Sequence, residues 1–360
     1  GRGGVNAGRA STSNGGGVPS FGASDGPTGY PSVGGATGGI AGPAMPAPGV
    51  SYCGTSYQTP PAPQFATPQV VWKRIQLFLA PTESGSPTLP AVTTRQWAGD
   101  LAMSVLDSLG NNGAPGMERF VSSWLPGTPI ASTWAAFFSV KGATLTDLLT
   151  TNVIRNPGSG ILTDDAALNR GDIIEISARG AFLRSRLLCQ TVPPPPPSVV
   201  THAPIGPGQT RRQALQQHGA NAICAGCHAL MDPLGYALDH FDDLGVYSDV
   251  DNGSPIDSSG SIGLNAGTIS FDGANQLGAQ LAKQCEVTQC VALQMLADAE
   301  NSAALPVVVD PETAFDPQTG TSVDPNEVAS IAAALHVSKG DLRTLIRLVV
   351  QSDTFLRASQ

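Results

Sequence analysis

Five consecutive prolines at positions 193–197 place the strongest constraint on how this chain folds. Proline has no backbone N–H and a fixed φ, so the run belongs to neither a helix nor a central strand and forms a stiff, extended connector. We take it as the main domain boundary. The prediction is a helical scaffold domain over 69–192, a module over 193–262 that begins with this connector, and a C-terminal helical domain over 263–360.

The first 68 residues differ in composition from the rest. Positions 1–50 hold 16 of the 42 glycines in the chain, and a stretch of this kind buries too little apolar surface to offset its ordering entropy. We therefore predict an extended Gly/Pro-rich N-terminal arm. Such an arm lies against the globular part, a second copy or a partner, or it is a disordered linker.

Beyond the arm, the apolar pattern is mostly that of helices. Trp97, Leu101 and Val105 recur at helical spacing within 95–109, and Ser338 and Asp341 resemble a capping box before an apolar stripe. Strand signals are few, although 251–253 reads as a turn. The fold class predicted is mainly α. Further helices are predicted at 117–124, 133–139, 145–151, 179–189, 209–219, after 221, and at 273–283.

Charge and hydropathy exclude several classes of protein. With 19 basic and 28 acidic side chains, the net charge is −9, which argues against nucleic acid and against anionic lipid as partners. The longest apolar stretches, such as 134–140, are far shorter than the roughly 20 residues that span a bilayer, so no transmembrane span is predicted. Residue 1 is Gly and no leader follows, which predicts a processed or truncated chain.

The motif with chemical meaning is Cys224-Ala-Gly-Cys227-His228. The pattern C-x-x-C-H is typical of c-type haem attachment. Both thiols form thioethers to vinyl groups of the same porphyrin, and the imidazole that follows them becomes the proximal iron ligand. The sequence therefore predicts one covalent haem c. Because this attachment is made outside the cytoplasm, we expect a periplasmic or extracellular protein of the cell envelope.

Other readings of the motif fit less well. A zinc site needs a second cysteine or histidine pair at ligand spacing, but Cys285 and Cys290 have four residues between them and no H-x₃₋₅-H occurs. A thioredoxin-like pair needs a βαβ pattern, which is not visible. A plain disulfide is disfavoured by the tight loop and the adjacent histidine.

The residues around the motif resemble a known family. The run CAGCHALMDPLGYALDHFDDLGVYS, followed by DNGSPIDSSG, resembles the planctomycete-type cytochrome c module, whose pattern is C-x-x-C-H, D-P-x-G and L-x-x-F-D-x-x-G. Flanking segments are similar too, upstream FVSSWL and RGAFLRSRLLCQTVPPPPP, and downstream FDGANQL and LRTLIRLVVQSDTFLR. The resemblance covers about 95–357 but not the arm. It implies a bacterial haem protein and supplies no defined reaction.

The second iron ligand is predicted to be His218. It precedes His228 by ten residues, a reach of roughly 33 Å, and it matches a histidine that the resembling family carries before its motif. Met295 and His336 are the alternatives, whereas Met231 follows too closely to reach the opposite face and is read as a packing residue. The remaining histidines are expected to be exposed or hydrogen-bonded: His202 and His240.

Several neighbours are candidate haem contacts. Arg211 and Arg212 either pair with the propionates, since guanidinium matches carboxylate geometry, or form a solvated helix start. Tyr236 and Phe241 are expected to pack on the ring. The Asp-Pro pair ending at Pro233 is expected to break the haem-bearing helix.

Seven aspartates fall within 232–257, with no Lys or Arg among them. Calcium is conceivable because hard cations bind clustered carboxylates, but the glycine at 253 comes one place early for an EF-hand loop and no closing Glu follows. We favour a solvated acidic face that lowers the haem potential or steers a basic redox partner.

Four cysteines remain outside the motif: Cys53, Cys189, Cys285 and Cys290. An even number in an oxidising compartment predicts two disulfides, with buried free thiols as the alternative. Pairing Cys285 with Cys290 leaves Cys53 for Cys189, but the sequence does not decide among the three possible connectivities.

Together these features predict a secreted c-type cytochrome that passes single electrons within a larger assembly, more in keeping with a non-catalytic electron carrier than with an enzyme. Redox partner proteins are implied, and the arm predicts a complex subunit or homo-oligomer. Two alternatives stay open: a peroxidase-like haem enzyme with an open iron site, and a structural component of the envelope. No nucleophile elbow or phosphate-binding loop occurs.

Overall fold

The structure is a computed structural model. It describes ten separate ranges of the chain. Most of the predicted arm, the proline run and His202 lie outside them, so the predictions made there are not tested. The described residues are 51–56, 64–80, 87–109, 114–125, 131–151, 160–169, 176–190, 192, 204–303 and 323–357.

Within these ranges the protein is mainly helical, as predicted. The helices are α1 (Pro68–Leu79), α2 (Arg95–Leu109), α3 (Pro115–Trp124), α4 (Ala131–Ser139), α5 (Leu145–Thr150), α6 (Asp165–Leu168), α7 (Ile176–Leu188), α8 (Arg211–Gly219), α9 (Ala222–Tyr236), α10 (Gly273–Leu281), α11 (Cys285–Ala303), α12 (Pro325–Val337), α13 (Leu342–Val350) and α14 (Asp353–Leu356). A 3-10 helix covers Gly160–Thr163. None of the described helices combines the length and the apolar character needed to cross a bilayer.

The strands form three separate antiparallel hairpins rather than one sheet: β1 (Ser51–Tyr52) with β2 (Thr55–Ser56), β3 (Val250–Asp251) with β4 (Ser254–Pro255), and β5 (Ser259–Leu264) with β6 (Gly267–Asp272). The predicted turn at 251–253 joins β3 to β4. Asn252 and Gly253 both have positive φ there, as a two-residue hairpin turn requires.

The helix predictions hold for most elements, and two details are wrong. Asp341, not Ser338, is the N-cap of α13, because its carboxylate accepts from the backbone N–H of Thr344 at 2.8 Å. Ser338 instead ends α12. Pro233 does not break its helix, which continues to Tyr236.

One hydrophobic core collects side chains from across the chain. Phe78 and Trp124 from the first part of the chain, Leu234 from α9, and Met295 and Phe355 near the end are all buried in it. The core therefore includes residues of all three predicted segments. Their independence as folding domains stays a prediction.

Two disulfides fasten other parts of the chain to α11. Cys53 pairs with Cys285, and Cys189 pairs with Cys290. The pairing of Cys285 with Cys290 does not occur, because both lie on one helix: five positions advance about 7.5 Å along the axis, beyond the roughly 7 Å Cα separation that a disulfide spans. Disulfides are typical of oxidising compartments.

Helices α7 and α9 pack with their backbones in direct contact. Gly180 on α7 lies against the carbonyl of Met231, and Gly235 on α9 lies against the carbonyl of Ile176; a Cβ at either glycine would collide with that oxygen. Arg184 on α7 donates to the carbonyl of Leu230 at 2.9 Å. These contacts hold α9 on α7 past Pro233, which explains why the proline does not end the helix.

Replacing Gly180 with Ala is expected to lower the free energy of unfolding by about 1–3 kcal/mol, because the two helices must separate to admit a methyl group. Chemical denaturation followed by circular dichroism measures the effect. Gly226→Ala on α9 is the matched control: its Cβ meets nothing within 4 Å, so helix propensity alone predicts equal or higher stability. Equal losses in both variants would contradict the tight crossing.

Candidate functional site

Helix α9 places the three motif side chains together. Cys224, Cys227 and His228 occupy positions i, i+3 and i+4, which share one helix face. Asn221 caps the start of the helix by accepting from the N–H of Ile223 at 3.0 Å. Both motif cysteines are free thiols and partly exposed, and each of the other four belongs to a disulfide.

The imidazole of His228 is held from one side. Its Nδ1 lies 3.0 and 3.1 Å from the two carboxylate oxygens of Asp232, one turn further along α9. Ser177 on α7 donates to the same carboxylate at 2.7 Å. Burial raises the pKa of Asp232, and the hydrogen bond from Ser177 and the neighbouring His228 partly offset this. A carboxylate acceptor places the proton on Nδ1, so Nε2 keeps its lone pair for a metal.

Ser177, His228 and Asp232 do not form a hydrolytic triad. In a triad the serine hydroxyl meets the imidazole nitrogen opposite the carboxylate. Here the Ser177 hydroxyl donates to Asp232 and lies 3.4 Å from Nδ1, the nitrogen already occupied by the carboxylate. The arrangement supports a ligand histidine, not an activated nucleophile.

A second imidazole, that of His218, lies next to the ring of His228. It lies in the last turn of α8, and its ring centroid is 5.0 Å from that of His228, with the ring planes at 70°. Gly219 packs next to His228, where a Cβ would come 3.3 Å from the His228 Cβ. The alternative ligands lie elsewhere: Met295 is buried in the main core, and the His336 ring contacts Tyr52 at 5.8 Å.

The two arginines at the start of α8 have protein partners. Arg211 pairs with Asp239 at 2.8 Å and with Asp251 at 3.0 Å. Arg212 lies over the ring of Tyr236, 4.0 Å from its centroid. Pairing of these arginines with propionates stays a prediction, and the guanidinium of Arg211 is already committed to two carboxylates.

The predicted ring-packing residues divide between two clusters. Tyr236 is buried with Ile176 and Leu215 in a small cluster at the α7–α9 contact. Burial is the main cause that raises its pKa to about 12. Phe241 is buried in the main core and meets Tyr247 edge-on. Tyr236 thus lies on the same helix as the motif, and contact of either ring with a haem stays a prediction.

The F-D-x-x-G segment forms a tight loop after α9. Asp242 accepts from the backbone N–H groups of Leu244 at 2.9 Å and Val246 at 2.7 Å, and Gly245 adopts a positive φ of 75°. The role of this part of the motif is thus to fold the loop that follows the helix.

Sequence reasoning missed Arg179, which anchors that loop. It is fully buried on α7 and donates to the carbonyls of Leu168, Leu238 and Phe241 at 3.0, 3.1 and 2.6 Å. Burial lowers its pKa to about 10. Arg184 and Arg186 on the same helix are also buried, so the residue type alone does not distinguish Arg179 in the sequence.

The acidic residues of the module do not converge on a point. Asp239 and Asp251 face Arg211, and Asp249 accepts from the Tyr247 hydroxyl at 2.9 Å. In the described ranges, the one group of three metal-type side chains consists of Cys53, Cys285 and Glu286, and its two sulfurs are joined in a disulfide. A calcium site gains no support from this arrangement.

Apolar surface is left uncovered around α9. Ile223 is 75% exposed and Leu230 is 41% exposed, both on the motif helix. Seven of the eleven exposed large apolar residues in the described ranges fall within 204–251: Ile205, Ile223, Leu230, Leu244, Val246, Tyr247 and Val250. Free thiols, an available imidazole nitrogen and exposed apolar side chains on one helix fit a bulky apolar group such as haem.

Comparison with known families gives one match. The sequence model of PSCyt3, a protein family of unknown function (DUF1588) related to planctomycete-type cytochromes c, matches residues 158–251. The match covers about a quarter of the chain and spans α7, α8, α9 and the loop after them. No curated protein and no solved structure matches. The resemblance is supported over this segment, and its extension to 95–357 stays a prediction.

Proposed function

We propose that this chain is a secreted c-type cytochrome that carries one covalent haem and passes single electrons within a larger assembly. The observation that carries the proposal is the geometry of α9: two free thiols and His228 share a face, and a buried carboxylate holds His228 by Nδ1. The family match to a cytochrome-related segment supports the same class.

Each residue has a defined task in this proposal. Cys224 and Cys227 would hold the haem through two thioethers, His228 would ligate the iron through Nε2, and His218 would be the second protein ligand. Bound haem supplies a one-electron couple between ferric and ferrous iron. Ile223 and Leu230, both exposed on α9, would cover part of its apolar surface and limit its contact with water.

Location and partners follow from the same chemistry. Haem attachment at C-x-x-C-H and two disulfides both favour the periplasm or cell envelope. From 213 to 282 the chain has no Lys or Arg, and Asp249 is exposed, so the redox partner is expected to present a basic surface.

Expression with a periplasmic haem-attachment system tests the proposal. We expect one haem per chain that stays with the polypeptide after denaturation, and a visible spectrum that changes reversibly on reduction with dithionite. Absorption spectroscopy and intact mass measure both. Protein that takes up no haem under these conditions, or in its native host, would overturn the proposal.

Carbon monoxide separates the carrier from a haem enzyme. If His218 and His228 both ligate iron, the reduced spectrum should not change when carbon monoxide is added. The matched variant His218→Ala should then bind carbon monoxide, because it vacates one axial position. A shift in the unaltered protein would contradict two protein ligands and would favour the peroxidase-like alternative.

A further inference from the structure

The imidazole of His228 faces a carboxylate to which no Lys or Arg of the described residues donates a hydrogen bond. Asp232 is 5% exposed, and its hydrogen bonds in the described ranges come from Ser177 and His228. The other deeply buried aspartate of the module, Asp239, is instead paired with Arg211. The charge of Asp232 is therefore directed at the imidazole rather than neutralised by a guanidinium.

Hydrogen bonding to a carboxylate changes what a histidine ligand does. It fixes the tautomer and the ring orientation, and it raises the basicity of the other nitrogen. A more basic ligand donates more electron density to iron, which stabilises the ferric state over the ferrous state. Hydrogen bonding beyond the ligands is among the ways in which a protein sets a haem potential.

Building on the function proposed above, we propose that Asp232 is a positioning residue that sets His228 as a strongly donating axial ligand and lowers the midpoint potential of the haem. Ser177 supports it by holding the carboxylate from α7 at 2.7 Å. The close crossing of α7 and α9 at Gly180 and Gly235 fixes the distance between Ser177 and Asp232.

A purely structural role for Asp232 makes a different prediction. If the carboxylate only links α9 to α7 through Ser177, its replacement changes stability and leaves the potential of the remaining haem protein unaltered. Asp232→Asn preserves the shape and an acceptor oxygen but removes the charge, so it separates the two roles.

The experiment is a spectroelectrochemical titration of the full-length holoprotein. At a fixed ambient potential we expect the ferrous-to-ferric ratio of Asp232→Asn to exceed that of the unaltered protein at least tenfold, which is about 59 mV for a one-electron couple. Asp249→Asn is the control: it removes the same charge from an exposed carboxylate of the module and is expected to change the ratio less than twofold.

The readout comes only from chains that carry haem, so a variant that folds poorly still reports a potential. Asp232→Ser provides a second neutral side chain that accepts a hydrogen bond, and the same rise is expected. Changes no larger than that of Asp249→Asn in both variants would overturn the inference while leaving the cytochrome proposal intact. Unaltered protein without covalent haem would instead overturn the proposed function.

Discussion

Protein in which both Cys224 and Cys227 are replaced by Ala is expected to carry no covalently bound haem. These are the two free thiols of the chain, because the other four cysteines form disulfides, so no other sulfur remains to make a thioether. Haem staining after denaturing electrophoresis and intact mass measure the loss, which should be complete. Each single Ala variant should retain haem through one remaining thioether.

The matched control replaces two cysteines that the proposal leaves out. Cys53→Ser with Cys285→Ser removes one disulfide and two sulfurs but should keep the full haem content. Its free energy of unfolding should fall by about 2–4 kcal/mol, as is typical for a lost disulfide. Covalent haem in the double Ala variant would show that attachment occurs elsewhere.

Replacing Arg179 with Met is expected to destabilise the protein by about 3–5 kcal/mol. Three buried carbonyls, those of Leu168, Leu238 and Phe241, lose their donor, and each unpaired buried acceptor costs about 1–3 kcal/mol before relaxation. Denaturant unfolding followed by circular dichroism measures the change.

Lys141→Met is the control for this variant. It removes a positive charge from an exposed position, where such changes stay within about 0.5 kcal/mol. If Arg179→Met and Lys141→Met unfolded at the same denaturant concentration, the three hydrogen bonds of Arg179 would not contribute to the free energy of unfolding.

The sequence predicts which motif residues share a helix face, because they are close together in the chain, whereas their role at a haem stays a prediction. Cys224, Cys227 and His228 need only the motif and helical spacing to come together. Ser177 could not be found in this way, since it reaches the site through the crossing of α7 and α9, about fifty positions away in the chain. Arg179 was missed for the same reason: its acceptors are carbonyls, which leave no pattern in a sequence.

The helices with amphipathic faces were likewise predicted, and α2 has the predicted bounds. No single apolar stripe marks α11 and α12 in the sequence, because these helices lie inside the core and are apolar around much of their circumference. The β5–β6 hairpin was missed because its glycines and serines weaken strand propensity. Its formation depends on packing beside α9, where Gly260 lies against the carbonyl of Pro233.

The attachment of both disulfides to α11 has a consequence for how the chain matures. The Cys53–Cys285 bridge cannot close until residue 285 has been synthesised, and the Cys189–Cys290 bridge cannot close until residue 290 has been synthesised, whereas the motif thiols are made roughly sixty residues earlier. During that interval Cys53 and Cys189 are unpaired thiols, and in the proposed cytochrome Cys224 and Cys227 must stay reduced until haem is attached. For a secreted cytochrome, as proposed, this order favours haem attachment before oxidation, and an early oxidant would trap Cys224 or Cys227 in a wrong bridge.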